Sequence, residues 1–379
     1  MKPFKIYLSQ SHMSGREQKY IQEVFNPDWP ALRDNNLTGF EKGLEDYLGS
    51  NSFVGVLNSG TAALHLGLIL LGVKAGDEVL CQSMTFSASA NPILYLGATP
   101  VFIDSELDTW NLCPQVLEEA IIDRIKKGKK PKAIIAVLLY GVPYQIDAIR
   151  RIANTYAIPI LEDSAEALGS SYKGQKCGTF GDIGVFSFNG NKIITTSGGG
   201  ALIAKTKAVK DKAIFFATQS RDEAPHYQHS EIGYNYRMST LCAGIGRGQL
   251  EVLDERIQLR HDMHRFYVHL FQNIKGVTVF SVPSEDYFSN YWLSTILVEA
   301  DYERGIDREA LRLAFEAAAI ESRPLWKPMH LQPFFEQYPY YGGQIAENLF
   351  EKGLCLPSGS NLTDEDRERI TEVVHSFFK

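Results

Sequence analysis

A lysine followed closely by threonines and a run of glycine stands out along the chain, in Ser187-Phe-Asn-Gly-Asn-Lys192-Ile-Ile-Thr-Thr-Ser-Gly-Gly-Gly200. Lys192 leaves the end of an apolar strand candidate, where α/β sheets present their ligands. Held there and partly desolvated, a lysine can lose its proton and form a Schiff base with an aldehyde. The glycines let the backbone approach a ligand or reverse tightly. Taken alone, such a lysine is more commonly an exposed surface residue.

Two further segments bear on that reading. In Ile160-Leu-Glu-Asp163-Ser-Ala-Glu166, Asp163 ends a second apolar strand on the same edge of the expected sheet. A carboxylate there suits the protonated ring nitrogen of pyridoxal phosphate, although alone it reads equally well as a helix N-cap or a Mg2+ ligand. In Leu57-Asn-Ser-Gly60-Thr61-Ala-Ala-Leu, a strand turns into a helix whose free amides and threonine hydroxyl would cradle a phosphate. No Gly-Lys-Ser/Thr follows, so this is not a Walker P-loop. Strand-end lysine, strand-end aspartate and phosphate-type helix start in one region form a far more specific set than any one of them.

The elements that must hold these groups are legible in the hydrophobic pattern. Seven strand candidates, Phe53-Leu57, Glu78-Gln82, Val101-Asp104, Ala133-Leu139, Pro159-Glu162, Gly184-Phe188 and Gly200-Ala204, alternate with helical stretches such as Thr61-Leu71, Pro114-Lys127 and Ile146-Tyr156. That alternation predicts an α/β fold built on one wide sheet. Cys242 to Phe271 reads as one long helix or a broken pair, after which Val277-Val282, Tyr291-Glu299, Arg308-Ala318 and Thr363-Phe378 suggest a smaller α+β unit. The expected division is residues 1–245 for the N-terminal segment and large ligand-binding domain, and 246–379 for the small C-terminal domain.

Composition bounds what such a chain does. With 44% hydrophobic and 22% charged residues in 379, it is an ordinary globular sequence, not a disordered one. Thirty-eight basic against 45 acidic side chains leave a net charge of −7, which argues against bulk nucleic acid or anionic membrane as partners. The richest apolar run, Leu64 to Val73, is too short to span a bilayer, and no signal-peptide pattern opens the chain. Cys81, Cys113, Cys177, Cys242 and Cys355 are scattered without a C-x-x-C pair, which favours free thiols in the cytoplasm over disulfides or a metal site.

The segments Asn58-Ser-Gly-Thr-Ala-Ala-Leu, Met84-Thr-Phe-Ser-Ala-Ser-Ala-Asn-Pro, Glu162-Asp-Ser-Ala-Glu, Phe186 to Gly200 and Gly233-Tyr-Asn-Tyr-Arg-Met-Ser together resemble the DegT/StrS family of pyridoxal-phosphate sugar aminotransferases. The resemblance implies the aspartate aminotransferase-like fold (fold type I), with a seven-stranded mixed sheet, and a homodimer with shared active sites. It implies pyridoxal 5'-phosphate as cofactor, cycling through pyridoxamine 5'-phosphate. Lys192 becomes the lysine linked to the cofactor and Asp163 the pyridinium partner. Phe86 would stack on the ring, and Gly60, Thr61, Ser187 and Asn235 of the neighbouring subunit would hold the phosphate. Glu166 stands where the family often has Gln or His near the phenolic oxygen. Relatives with His in place of the lysine act as sugar dehydratases, so Lys192 favours transamination.

The segment Ser322-Arg-Pro-Leu-Trp-Lys-Pro-Met-His330 and the stretch Lys352 to Ser360 resemble the UDP-N-acetylbacillosamine branch. That implies amination at C4 of a UDP-2-acetamido-4-keto-2,6-dideoxy-hexose, with L-glutamate as donor. Arg323, Lys327 and His330 are the expected contacts to the nucleotide-linked sugar, with Trp29 and Ala31 of Phe25-Asn-Pro-Asp-Trp-Pro-Ala near the active site. The alternatives are a dTDP-linked or epimeric UDP-linked keto sugar, or a catalytically silent protein that binds a sugar nucleotide.

Overall fold

The computed structural model describes residues 5–25, 35–49, 51–301 and 303–379. Five short, nearly wholly buried segments form its centre: β1 (Phe53–Leu57), β2 (Glu78–Gln82), β3 (Thr99–Ile103), β4 (Ala133–Val137) and β5 (Ile160–Asp163). Their runs are apolar without alternation because helices cover both faces of the sheet. Two two-residue strands, β6 (Ser171–Tyr172) and β7 (Gln175–Lys176), precede β8 (Ile183–Ser187) and β9 (Gly200–Ala204).

In the second half come β10 (Val277–Val279), β11 (Tyr287–Phe288), β12 (Ser294–Val298), β13 (Arg323–Pro324), β14 (Tyr340–Tyr341) and β15 (Gly353–Leu356). The main sheet has the order β1-β9-β8-β5-β4-β2-β3-β14. It has eight strands where seven were expected: β14 returns from the C-terminal part and lies parallel to β3. Two residues carry no period, so this strand is visible only once the chain is folded. Strand β9 runs antiparallel to both neighbours, because no crossover helix separates it from β8.

This topology brings the C-terminal ends of β1, β5 and β8 to one edge. The helix Gly60–Leu70 leaves β1 there, buried along almost its whole length. A side chain at Gly67 would meet Leu161 at 2.7 Å, so the glycine lets this helix lie directly on β5. Gly200 serves a related purpose, since a Cβ there would lie 2.4 Å from the Gly60 nitrogen.

The antiparallel sheet β10-β12-β15-β13 forms a second layer, covered by the helices Leu253–Phe271, Arg308–Ala317 and Asp364–Phe377. Tyr267, Phe315, Ile296 and Ile370 lie in its own apolar cluster, and so does Ile6, which bridges to Ile320. The stretch from Cys242 to Phe271 is a broken pair, Thr240–Leu250 and Leu253–Phe271. A third sheet, β11-β6-β7, ties the two layers together.

Candidate active site

Lys192 sits in the loop between β8 and β9, which several groups hold from outside. Ser9 Oγ donates to the Asn191 carbonyl at 2.6 Å and Ser11 Oγ to the Gly190 carbonyl at 2.5 Å. Within the loop, the Lys192 amide donates to the Asn189 carbonyl at 3.0 Å. Its Nζ lies 3.4 Å from Glu166 Oε1 and 4.2 Å from the centre of the Trp292 ring.

Asp163, the last residue of β5, is buried. Its Oδ2 accepts from Ser89 Oγ at 2.7 Å and its Oδ1 from the Ala165 amide at 3.2 Å. Ser89 in turn shares a 2.7 Å bond with Thr85 Oγ1. Burial pushes the Asp163 carboxyl up from its ordinary value, while these bonds and the Lys192 charge pull it back. Glu166 is likewise held up by burial, with Lys192 and the Tyr140 amide, 2.7 Å from Oε2, acting the other way.

At the opposite end of the cavity, Ser59 caps the helix Gly60–Leu70 by accepting from the Ala62 amide at 3.0 Å. The amides of Gly60 and Thr61 have no partner among the described residues, so they remain available to an anion at a helix N-terminus. Ser187 faces this turn, its Cβ only 3.0 Å from where a Cβ on Gly60 would stand.

These groups line one cavity of about 330 Å3. Seven of the residues singled out from sequence meet in it: Gly60, Thr61, Phe86, Asp163, Glu166, Ser187 and Lys192. Phe86 is 60% exposed and lies 6.3 Å from Trp326, ring centre to ring centre. Asn235 is exposed and does not line the cavity of its own chain; its carbonyl accepts from Asn58 Nδ2, at the rim, at 3.1 Å.

The expected sugar contacts fare differently. Lys327 borders a second groove that shares Thr85, Phe86 and Trp326 with the cavity. Arg323 is outside both, paired with Glu321 at 2.9 Å. His330 is outside both as well: its ring stacks on Tyr340 at 3.7 Å, and its nitrogens meet Ser83 Oγ at 2.7 Å and Glu347 Oε1 at 3.1 Å. Both are taken up by packing and local pairs, which spacing in sequence does not reveal. Trp29 and Ala31 lie outside the described residues.

Sequence reasoning missed Trp292 and Ser89. Trp292 lies a hundred positions from Lys192 and reaches it only through tertiary packing, whereas Ser89 stood within a quoted motif without an assigned role.

The chemistry of the set suits a flat, phosphorylated, aldehyde-bearing heteroaromatic ring. A lysine amine is at hand for the aldehyde, a buried carboxylate for a ring cation, unpartnered amides for the phosphate, and Phe86 and Trp326 for the ring faces.

Comparison with known proteins points the same way. A model of the DegT/DnrJ/EryC1/StrS aminotransferase family matches residues 11–375. The chain is 48% identical over 378 residues to EpsN of Bacillus subtilis (strain 168), assigned as a pyridoxal phosphate-dependent aminotransferase, covering 99% of this chain and 96% of that one. It is 36% identical to the GDP-perosamine synthase of Escherichia coli O157:H7, covering 100% and 99%. Among solved structures, the sugar aminotransferase Spr1654 of Streptococcus pneumoniae in its PMP form matches with a TM-score of 0.87 and 27% identity, covering 100% of this chain and 99% of that one; it is also solved in a PLP form.

Proposed function

The chain belongs to the DegT/DnrJ/EryC1/StrS aminotransferase family, and from that premise we propose that it aminates C4 of UDP-2-acetamido-4-keto-2,6-dideoxy-hexose with L-glutamate as donor. It is a pyridoxal phosphate-dependent enzyme acting on a nucleotide-linked keto sugar. The observation that carries the residue roles is the meeting of Lys192, Asp163 and Glu166 in one cavity with the open amides of Gly60 and Thr61.

Bound there, pyridoxal phosphate supplies a carbonyl carbon for amine exchange and an electron-withdrawing ring that stabilises negative charge at the substrate carbon. Lys192 is the group to hold a proton at Nζ and return it. Asp163, kept in place by Ser89, balances a positive ring nitrogen. The amides of Gly60 and Thr61, with Ser187, bind the phosphate, and Phe86 covers a ring face. Lys327, in the groove that adjoins the cavity past Phe86 and Trp326, is the cation for the diphosphate of the substrate.

A GDP-linked keto sugar is the second reading, favoured by the 36% identity to a GDP-perosamine synthase. The active form in this proposal is a homodimer in which Asn235 completes the partner's phosphate site. Exposed Tyr227 and Ile232, in the segment leading to Asn235, support a covering subunit. A cytoplasmic location accompanies this reading, and no helix among the described residues is long and apolar enough to cross a membrane.

The visible spectrum of purified protein tests the cofactor roles. A band that bleaches on adding glutamate is expected, and Lys192→Ala should abolish turnover and change the band. A Lys192→Ala protein with unchanged spectrum and turnover refutes the assignment. Incubation with a panel of UDP-, GDP- and dTDP-linked keto sugars, read by product mass, then decides the substrate; amination of a GDP sugar alone selects the second reading.

A further inference from the structure

Just ahead of β12, two buried side chains bond to the backbone of residues that line the cavity. Asn290 Nδ2 donates to the carbonyls of Glu166 and Leu168, each at 2.9 Å, and its Oδ1 accepts from the Trp292 amide at 2.8 Å. The Trp292 indole N–H donates at 2.7 Å to the carbonyl of Asn191, the residue before Lys192. The face of the same indole lies 4.2 Å from Lys192 Nζ, and the Trp292 carbonyl accepts from the buried guanidinium of Arg260.

The segment is tightly determined. Tyr291, between the two, has φ of 46°, a left-handed conformation that a non-glycine residue keeps only when its surroundings impose it. A side chain at Gly141 would stand 1.9 Å from Asn290 Oδ1, so the carboxamide fills the room that only glycine leaves. One short stretch thus grips the backbone of Glu166 on one side and the turn before Lys192 on the other.

We infer that Asn290 and Trp292 are positioning residues that set Lys192 against Glu166, Trp292 also providing the surface on which the lysine rests whenever its amine is free. The inference rests on the reading of Lys192 as the cofactor-bearing lysine. A long, flexible amine released in every turnover must return to one place to handle a proton at the reacting carbon. An aromatic face 4.2 Å away and a carboxyl 3.4 Å away limit where it goes.

The test uses full-length Trp292→Leu, Trp292→Phe and Asn290→Ala proteins. In the holoenzyme, bleaching of the visible band by the amino donor is followed by stopped flow. Trp292→Leu is expected to slow the maximal rate about tenfold while the half-saturating donor concentration stays within about twofold, and Trp292→Phe, which keeps a ring face, to slow it only about threefold. In the cofactor-free chain, Lys192 labelling by an amine-acylating reagent, read by peptide mass spectrometry, should be several-fold faster in Trp292→Leu than in the wild type. A purely structural role lowers thermal stability and leaves both readouts unchanged in the folded fraction, and that result overturns the inference.

If Trp292→Leu does not fold, the other two variants carry the test. Trp292→Phe loses only the bond to Asn191 and should run about threefold slow, as should Asn290→Ala. Wild-type rates in both overturn the inference. Failure of the underlying reading shows separately, as a Lys192→Ala protein that keeps its band.

Discussion

Asp163 and Glu166 are carboxyls whose burial works against their charge, and the nearby Lys192 offsets that only in part. Because burial raises the Glu166 carboxyl in the folded chain, the folded state keeps a proton there that the unfolded chain has released. Stability from this group is therefore complete at low pH and declines as pH rises above the ordinary value of 4.5. Glu166→Gln removes the titration but keeps an oxygen for the Tyr140 amide. Unfolding midpoints of the cofactor-free chain, measured upward from pH 4.5, should fall less steeply in Glu166→Gln than in the wild type; parallel curves contradict the raised carboxyl. The same pair marks how far sequence carries at this scale. Lys192 and Asp163 were readable because each stands at or just past the end of an apolar strand, and strand ends on one sheet edge converge; Glu166 was named only through the family resemblance. Trp292 and Asn290 carry no such mark: their relation to Lys192 arises from the packing of β12's approach against the β8–β9 loop.

The helix Leu253–Phe271 shows what an element adds to its residues. Arg256, Arg260 and His264, spaced by four, share one face, and that face is buried. The Nε atoms of both arginines and Nδ1 of His264 have no partner among the described residues. Arg260 turns inward to the Trp292 carbonyl and to Ser9 Oγ at 2.9 Å. Burial, helped by the nearby His261 and Arg265 charges, pushes His264 down to about 4, and its ring stacks on Tyr291 at 3.7 Å. A depressed histidine contributes stability that is whole above its unfolded value of 6.5 and is lost as pH falls toward about 4. That loss is on the order of 3 kcal/mol. His264→Phe keeps a flat ring against Tyr291, so urea titrations between pH 7 and pH 4 should show the wild type losing that much more than the variant. Equal losses would mean that His264 titrates normally. Among the other elements, the seven long strands of the main sheet were legible from their apolar runs. Strands β6, β7, β11, β13 and β14 have two residues each, too few for any period, and exist only through the partners that the fold supplies.

At the scale of the whole molecule, we propose two domains divided near residue 245, amended by the first described residues, since Ile6 packs in the cluster of the second sheet. The dimer proposal makes a sharper demand. Asn235 does not line the cavity of its own chain, and it follows a segment that exposes Tyr227 to 78% and Ile232 to 82%. If Asn235 serves the partner's phosphate site, Lys192→Ala and Asn235→Ala damage different subunits' contributions to a given site. Each homodimer is then impaired at both sites. In a hybrid, the site built on the intact Lys192 receives an intact Asn235 from the other subunit, while the second site carries both defects. Random reassociation of equal amounts makes half of the dimers hybrid with one sound site each, so activity should recover to about a quarter of wild type. If Asn235 acts within its own chain, no combination contains a sound site, and mixing recovers nothing. Unfolding and refolding the two variants together, followed by a turnover assay against each refolded alone, separates the two arrangements, and sedimentation of the mixture establishes whether dimers form at all.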